Sequence, residues 1–398
     1  MIEASGRLAV RTGPARRRRP GLYLVGLCLA LAPAFARGWA RPAPVAPAHD
    51  VELTLFLIGD AGGPDKDGEP VLAALGQELT RDPARSVVVF LGDNVYPKGL
   101  PAPDAGNRQE MERRLDEQID TVRLKGARGI FLAGNHDWEK EQAGGWEAVK
   151  RQSAHVVARG APLIGFLPRG GCPGPEVVDF DPHLRLVILD TQWWLQDGPK
   201  PMDPTSDCSA DSESEVLAAL REGLRGAGDR PVVVAAHHPL ATGGPHGGYF
   251  SLREHIFPLT DLNGALWIPL PFVGSIYPLA RKGGATAQDT ASGPNRKMRE
   301  ALEGVLRERP PLVYASGHEH ALQVLESRSA RRLLVSGAGI LGHTRPVRRI
   351  EGSRFASSVA GFMRLDFQPA GGVRLAVLSV DARARIAEVY SEWLTPGP

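Results

Sequence analysis

Leu55-Phe56-Leu57-Ile58-Gly59-Asp60-Ala61-Gly62 is four apolar residues followed at once by a glycine, a carboxylate and a second glycine. A buried strand that stops this abruptly delivers its last polar side chain at the rim of a sheet, and in open α/β sheets that rim is where ligands bind. A lone Gly-Asp after a strand is usually a turn. Here the pattern recurs. Val87 to Leu91 runs into Gly92-Asp93-Asn94-Val95-Tyr96, and Ile130 to Ala133 runs into Gly134-Asn135-His136-Asp137. Val232 to Ala236 ends in His237-His238-Pro239, and Leu312-Val313-Tyr314-Ala315 precedes Gly317-His318-Glu319-His320. Five strand ends, each closing on metal-ligand side chains, make a two-metal site the strongest reading of the chain.

Between these strands the apolar spacing turns helical. Pro70 to Arg81, Arg108 to Lys125, Glu213 to Arg225 and Arg296 to Arg307 read as helices, and Leu184 to Asp190 as a further strand. Strands alternating with helices predict parallel βαβ units. The last stretch differs: Leu333 to Val335, Gly361 to Phe367, Val373 to Val380 and Ala384 to Tyr390 read as strands joined by turns. An antiparallel sheet is expected there, so the fold is an α/β (α+β) β-sandwich with helices outside rather than a single Rossmann sheet.

With 398 residues, 42% hydrophobic and 23% charged, the composition is that of a globular protein with a real core. A net charge of only +2, with Arg16 to Arg19 near the start, leaves no basic patch that argues for nucleic acid. Those arginines, the apolar Leu22 to Ala32 and the small-x-small Ala34-Phe35-Ala36 read as a signal peptide over residues 1–36. The chain is therefore expected to be exported to the periplasm or beyond; the competing reading is an uncleaved anchor. A Pro/Ala-rich linker follows over 37–50, and the catalytic domain over 51–398. Cys172 and Cys208 remain after the leader, both in loop-like sequence, and an oxidising compartment allows them to pair.

Two close cations need about ten donor atoms with at least one bridging carboxylate. Asp60, Asp93, Tyr96, Asn135, His237, His318 and His320 supply hard oxygen and borderline nitrogen donors, and no cysteine lies near any motif. Mixed O/N ligation suits catalytic Fe, Zn or Mn rather than structural zinc or an iron–sulfur cluster. Such pairs bind phosphoryl oxygens and hold hydroxide for in-line attack on phosphorus.

The order GD, GDxxY, GNHD, VxxH (Val234 to His237) and GHxH resembles that of the calcineurin-like metallophosphoesterases. Within that superfamily the chain is similar to the short, tartrate-resistant type of purple acid phosphatase. Gly62 stands where most members place a ligand histidine in a DxH arrangement, and Tyr96 stands three residues after Asp93, where a tyrosinate replaces it. The resemblance implies a four-layer sandwich with a βαβαβ metal-binding core. It puts Asp60, Tyr96 and His320 on an Fe(III)-type ion, Asn135, His237 and His318 on a divalent Zn, Fe or Mn, and Asp93 between them. It also implies metal-hydroxide attack on small phosphate monoesters, with His136 facing the phosphate and His246 protonating the leaving group. A phosphodiesterase or pyrophosphate-type hydrolase is the alternative on the same fold, and a metal-binding protein without turnover the alternative outside enzymes.

The residues around the motifs read more plainly. His237 rather than His238 aligns with the ligand position, Asp137 is expected to orient ligands rather than bind metal, and Asn94 and Glu319 to make hydrogen bonds. His49, His155 and His183 lie outside every motif. The main departure from the family pattern is an insertion at about 249–290, with Leu266-Trp267-Ile268-Pro269-Leu270-Pro271-Phe272-Val273 and Ile276-Tyr277-Pro278-Leu279 inside it. Its prolines exclude a long helix or a central strand. A lid, a dimer contact, a membrane-touching loop over 265–280 and an irregular loop packed on the core all remain open.

Overall fold

Strand β1 (Leu53–Ile58) shows how the sequence separates its two faces. Leu53, Leu55 and Leu57 enter one apolar cluster together with Leu186, Ile188, Val233 and Ala235, while Phe56 and Ile58 enter a second with Val71, Leu75 and Leu115. That period of two places β1 between another sheet and a layer of helices. The computed structural model describes residues 51–395 except 205, 262–265 and 370; the leader and linker expected over 1–50 lie outside the described residues.

Two mixed sheets of seven strands face one another. In the first, β1 pairs in parallel with β2 (Ser86–Phe90), which pairs in parallel with β3 (Arg128–Phe131) and so to β4 (Ile164–Phe166). In the second, β5 (Glu176–Phe180) is antiparallel to β6 (Leu184–Ile188), which is followed in parallel by β7 (Val232–Ala235) and β8 (Val313–Ser316). There β10 (Arg332–Ser336) continues parallel to β8, and β9 (Leu322–Leu325) and β11 (Ser353–Ser357) close the edge antiparallel. β12 (Gly361–Phe367), β13 (Val373–Val380) and β14 (Ile386–Trp393) return to the first sheet as an antiparallel meander beside β1.

Helices α1 (Pro70–Leu79), α2 (Arg108–Arg123) and α3 (Gly145–Gly160) cover the outer face of the first sheet. α4 (Gln192–Leu195) precedes α5 (Glu213–Arg225), and α5 packs with the later α8 (Gly293–Glu308) on the second. The start of α5 is set by a capping box in which the Ser212 hydroxyl accepts from Glu215 N and the Glu215 carboxylate accepts from Ser212 N. The result is the expected four-layer sandwich, with the two parallel cores face to face. A disulfide between Cys172 and Cys208 (Cα–Cα 5.7 Å) ties the loop after β4 to the approach to α5.

The Pro-broken segment contains α6 (Leu252–Ile256) and α7 (Ile276–Lys282), both short, as its prolines require. It packs through Glu254, Gly274 and Pro278 and leaves many apolar side chains in solvent. No helix among the described residues is long and apolar enough to cross a membrane.

Candidate metal centre

All five motifs follow the C-terminal ends of β1, β2, β3, β7 and β8, so parallel pairing within each sheet and the facing of the two sheets bring them to one rim. Backbone hydrogen bonds stitch the rim together: Asp60 N donates to Gly92 O (3.0 Å), Tyr96 N to Gly62 O (2.9 Å) and Gly317 N to His237 O (3.0 Å). Gly62 is required by this packing, since a Cβ there would stand 2.3 to 2.5 Å from the backbone of Asp93, Asn94 and Val95. The loss of the histidine expected in DxH thus has a steric cause: the Tyr96 loop occupies its place. Asp60, Asp93 and His318 all hold positive φ (59°, 55° and 67°), a strained conformation typical of functional residues.

The donors fall into two triads. Asp60 Oδ1, Tyr96 Oη and His320 Nε2 lie 3.1, 3.2 and 3.4 Å apart. Asn135 Oδ1, His237 Nε2 and His318 Nδ1 lie 3.0, 3.0 and 3.1 Å apart. Asp93 stands between them: its Oδ1 is 3.5 Å from His237 Nε2, and ligand atoms of Asp60, Asp93 and His237 fall within 4.8 Å of one another.

The hydrogen bonds around the triads expose the lone pairs a metal needs. A carbonyl only accepts, so His237 Nδ1 donates to Leu91 O (2.8 Å) and its Nε2 faces the triad unprotonated. His320 does the same through Nδ1 to His343 O (3.1 Å). Asp60 Oδ2 is held by His318 N (2.8 Å), which aims Oδ1 at its triad. The His318 ring has no hydrogen-bond partner outside its triad among the described residues, and its Nε2 is buried without one. His238 has a ring nitrogen within 4.8 Å of ligand atoms of His237 and His318, but both its nitrogens are already tied, to Thr191 Oγ1 (2.8 Å) and Gln288 Oε1 (2.7 Å).

The electrostatics point the same way. Burial, and then Asp93, push the Asp60 carboxyl well above its usual range, and burial with both carboxylates pushes the Tyr96 phenol up. Burial drives His318 down and His320 down to about 4. Burial opposes the charge on each of these donors, and a close cation would favour the anionic carboxylate and phenolate and the neutral imidazoles that bind it. The donor set therefore fits two metal ions.

The second tier is built as firmly. Asp137 accepts from the backbone of Asn94, Val95 and Gly134 (2.8 to 3.2 Å) and from Asn94 Nδ2, clamping two motif loops rather than reaching the donors. Burial, then Asp93, raises its carboxyl to about 7. Glu319 accepts from Thr242 Oγ1 and His246 N (both 3.1 Å). Trp138, fully buried, donates to Asp190 Oδ2 (2.8 Å). His136 donates from Nδ1 to Pro97 O (2.8 Å), leaving Nε2 3.8 Å from Asp93 Oδ2. His155 and His183 pair with Asp116 and Glu52 away from the rim, and His49 lies outside the described residues.

Three groups at the rim escape the motifs. His343 stacks over His320 with ring centroids 4.3 Å apart. Arg281, from α7, donates to Asp289 Oδ1 (2.6 Å), Tyr277 Oη (2.8 Å) and His246 Nδ1 (3.0 Å). Because Arg281 can only donate, His246 Nδ1 accepts and its proton sits on Nε2. The His246 ring lies 4.0 Å from that of His318. Arg281, Tyr277, His246 and Arg345 line a cleft of about 110 Å³ above His318 and His320. A roomier hollow of about 580 Å³, near the start of β7 and β8, gathers Arg230, Arg309 and Arg331 but no motif residue.

A sequence profile of the calcineurin-like phosphoesterase family matches residues 53–268, more than half of the chain. The chain belongs to the calcineurin-like phosphoesterases. The family fold carries a dinuclear metal centre and the family acts on small phosphoesters; this chain is a metal-dependent phosphoester hydrolase. It is similar in fold to GAP50, titled the anchor in the inner membrane complex of Plasmodium, at TM-score 0.52 and 14% identity over 86% of this chain and 88% of that one. It is also similar to the purple acid phosphatase PPD1 from yellow lupin (Lupinus luteus) seeds, at TM-score 0.51 and 14% identity over 88% of this chain but only 55% of the lupin enzyme. No curated protein sequence matches the chain.

Proposed function

We propose that this phosphoesterase is an exported, binuclear hydrolase of phosphate monoesters of the purple acid phosphatase kind. In this reading Asp60, Tyr96 and His320 would hold Fe(III), Asn135, His237 and His318 would hold a divalent Zn, Fe or Mn, and Asp93 would serve both. The observation that carries it is the pair of three-atom donor triads meeting at Asp93, one of them containing a phenol. A phenolate is a hard anionic donor and suits a trivalent ion. The Cys172–Cys208 bridge supports export to an oxidising compartment.

The cations, when bound, supply Lewis acidity toward phosphoryl oxygens and lower the pKa of water. The chain's own residues do the rest. Arg281 and Arg345 give the cleft the positive charge that a dianionic monoester needs. His246 is read as a neutral donor through Nε2–H, because burial, and then the adjacent Arg281, oppose a charge on it. That shifts its role from the imidazolium acid expected from sequence to hydrogen-bond stabilisation of the phosphoryl or leaving oxygen. His136, pushed down to about 4 chiefly by burial, offers Nε2 as an acceptor on the opposite side of Asp93.

The test is a comparison of metal-loaded protein on p-nitrophenyl phosphate and bis(p-nitrophenyl) phosphate. The monoester is expected to turn over at least about tenfold faster, since a dianion is drawn more strongly than a monoanion to a cleft lined by Arg281 and Arg345. A faster diester would assign the phosphodiesterase alternative.

A further inference from the structure

The segment that delivers Arg281 to the cleft turns an apolar face to solvent. Ten of the fifteen large hydrophobic side chains exposed among the described residues lie between Tyr249 and Leu279. Phe272 is 92% exposed, Ile276 65%, Val273 62%, Leu279 59% and Trp267 54%. Phe272 also holds φ 69°, a conformation costly for an aromatic residue, so the chain strains to project it outward rather than fold it in. The sequence carries no charge from Leu262 to Ala280. Cations stand at its borders: Arg253, stacked 4.4 Å over Trp267, and Lys282.

A patch of this kind marks an interaction surface. Its composition selects the partner. Aliphatic side chains at the tip, Trp267 and Tyr277 beside them and cations at the rim match the order of environments met on entering a bilayer from water. The fully projecting Phe272 is no groove for a peptide, and the elements here are too short to span. Helix α7 joins this surface to the chemistry. Tyr277 and Arg281, four residues apart, line the cleft, while Ile276 and Leu279 point away from it to solvent.

We infer that residues 266–279 dock on the surface of a phospholipid bilayer with anionic headgroups, and that the cleft takes its phosphate monoester from a lipid at that surface. The substrate half rests on the phosphohydrolase reading; the docking half does not. The experiment compares the metal-loaded full chain with its Phe272→Asp/Ile276→Asp variant. Both are sedimented with vesicles of phosphatidylcholine alone or mixed with phosphatidylglycerol, and assayed on p-nitrophenyl phosphate and on phosphatidic acid in the mixed vesicles. The wild type is expected to bind the anionic vesicles more tightly than the neutral ones. The variant is expected to lose more than about tenfold in vesicle affinity and in phosphatidic acid turnover, while keeping its rate on the soluble ester. Equal vesicle binding by the two proteins would overturn docking. So would wild-type self-association that the variant loses, without vesicle binding, because a second copy would then cover the patch. Equal phosphatidic acid turnover would overturn the lipid substrate. Absence of turnover on every ester, with vesicle binding intact, would instead strike the phosphohydrolase reading.

Discussion

Asp93 stands between the two donor triads, and in the proposed reading its loss would remove a ligand from both. Asp93→Ala is expected to cut kcat/KM by at least about a hundredfold and to lower metal content below that of the wild type; a fully active, fully metallated variant would contradict the bridging role. Tyr96→Phe removes one oxygen and keeps the ring, and is expected to abolish any visible tyrosinate-to-iron band. A variant that stays coloured would exclude Tyr96 as the ligand. His238 gives a prediction about stability. Burial, then His237, push it down to about 3, so the folded protein keeps it neutral where the unfolded chain takes up a proton. That contribution is complete above about pH 6.5 and is lost as pH falls toward 3. In chelated protein, His238→Gln should reduce the slope of unfolding free energy against pH, between pH 6 and 4, by about 1.4 kcal/mol per unit. An unchanged slope would contradict it. The residues that meet at the rim were legible in the sequence because each lies in a motif just after a strand, and strand ends are marked by a change from β-branched to glycine and polar residues. Arg281 was not, because its partners His246 and Asp289 are joined to it only by the folding of a Pro-broken loop.

At the scale of elements, the long helices and central strands follow the apolar spacing, with α5 at its expected bounds and α8 starting three residues early at Gly293. Helix α3 is not legible in the apolar spacing, because glycine stands at both ends and its buried stripe is thin, with the polar Gln152 inside it. β9 and β11 are four and five residues long at a sheet edge, too short for alternation to register. The glycines at the strand ends matter more than the strands' own propensity. At Gly134 a Cβ would meet Asp93 Oδ1 at 2.3 Å and His237 Cε1 at 2.6 Å, pressing on two donors without replacing either. Gly134→Ala is therefore expected to weaken metal binding by about tenfold or more, read by chelator competition, with the fold retained in circular dichroism. Wild-type affinity would show that the rim is softer than its packing implies.

At the scale of the molecule, the four-layer sandwich holds the rim rigid by packing two parallel cores face to face, and the disulfide fixes the outer loops around it. The bridge closes a separation of 36 residues, for which chain entropy gives about 3–4 kcal/mol. Cys172→Ser/Cys208→Ser should lose about that much in denaturant unfolding, and a neutral result would mean that the surrounding loops are already held by their packing. The sequence announced a sandwich through its change from alternating to consecutive strands, but it could not announce which strands cross to which sheet. That β12 to β14 return beside β1 depends on contacts made some 300 residues apart along the chain. The central claim, a binuclear phosphohydrolase, is tested most directly by titrating the chelated protein with metal while following p-nitrophenyl phosphate turnover. Activity should rise from near zero and saturate at two ions per chain; saturation at one, or no turnover at any loading, would contradict it.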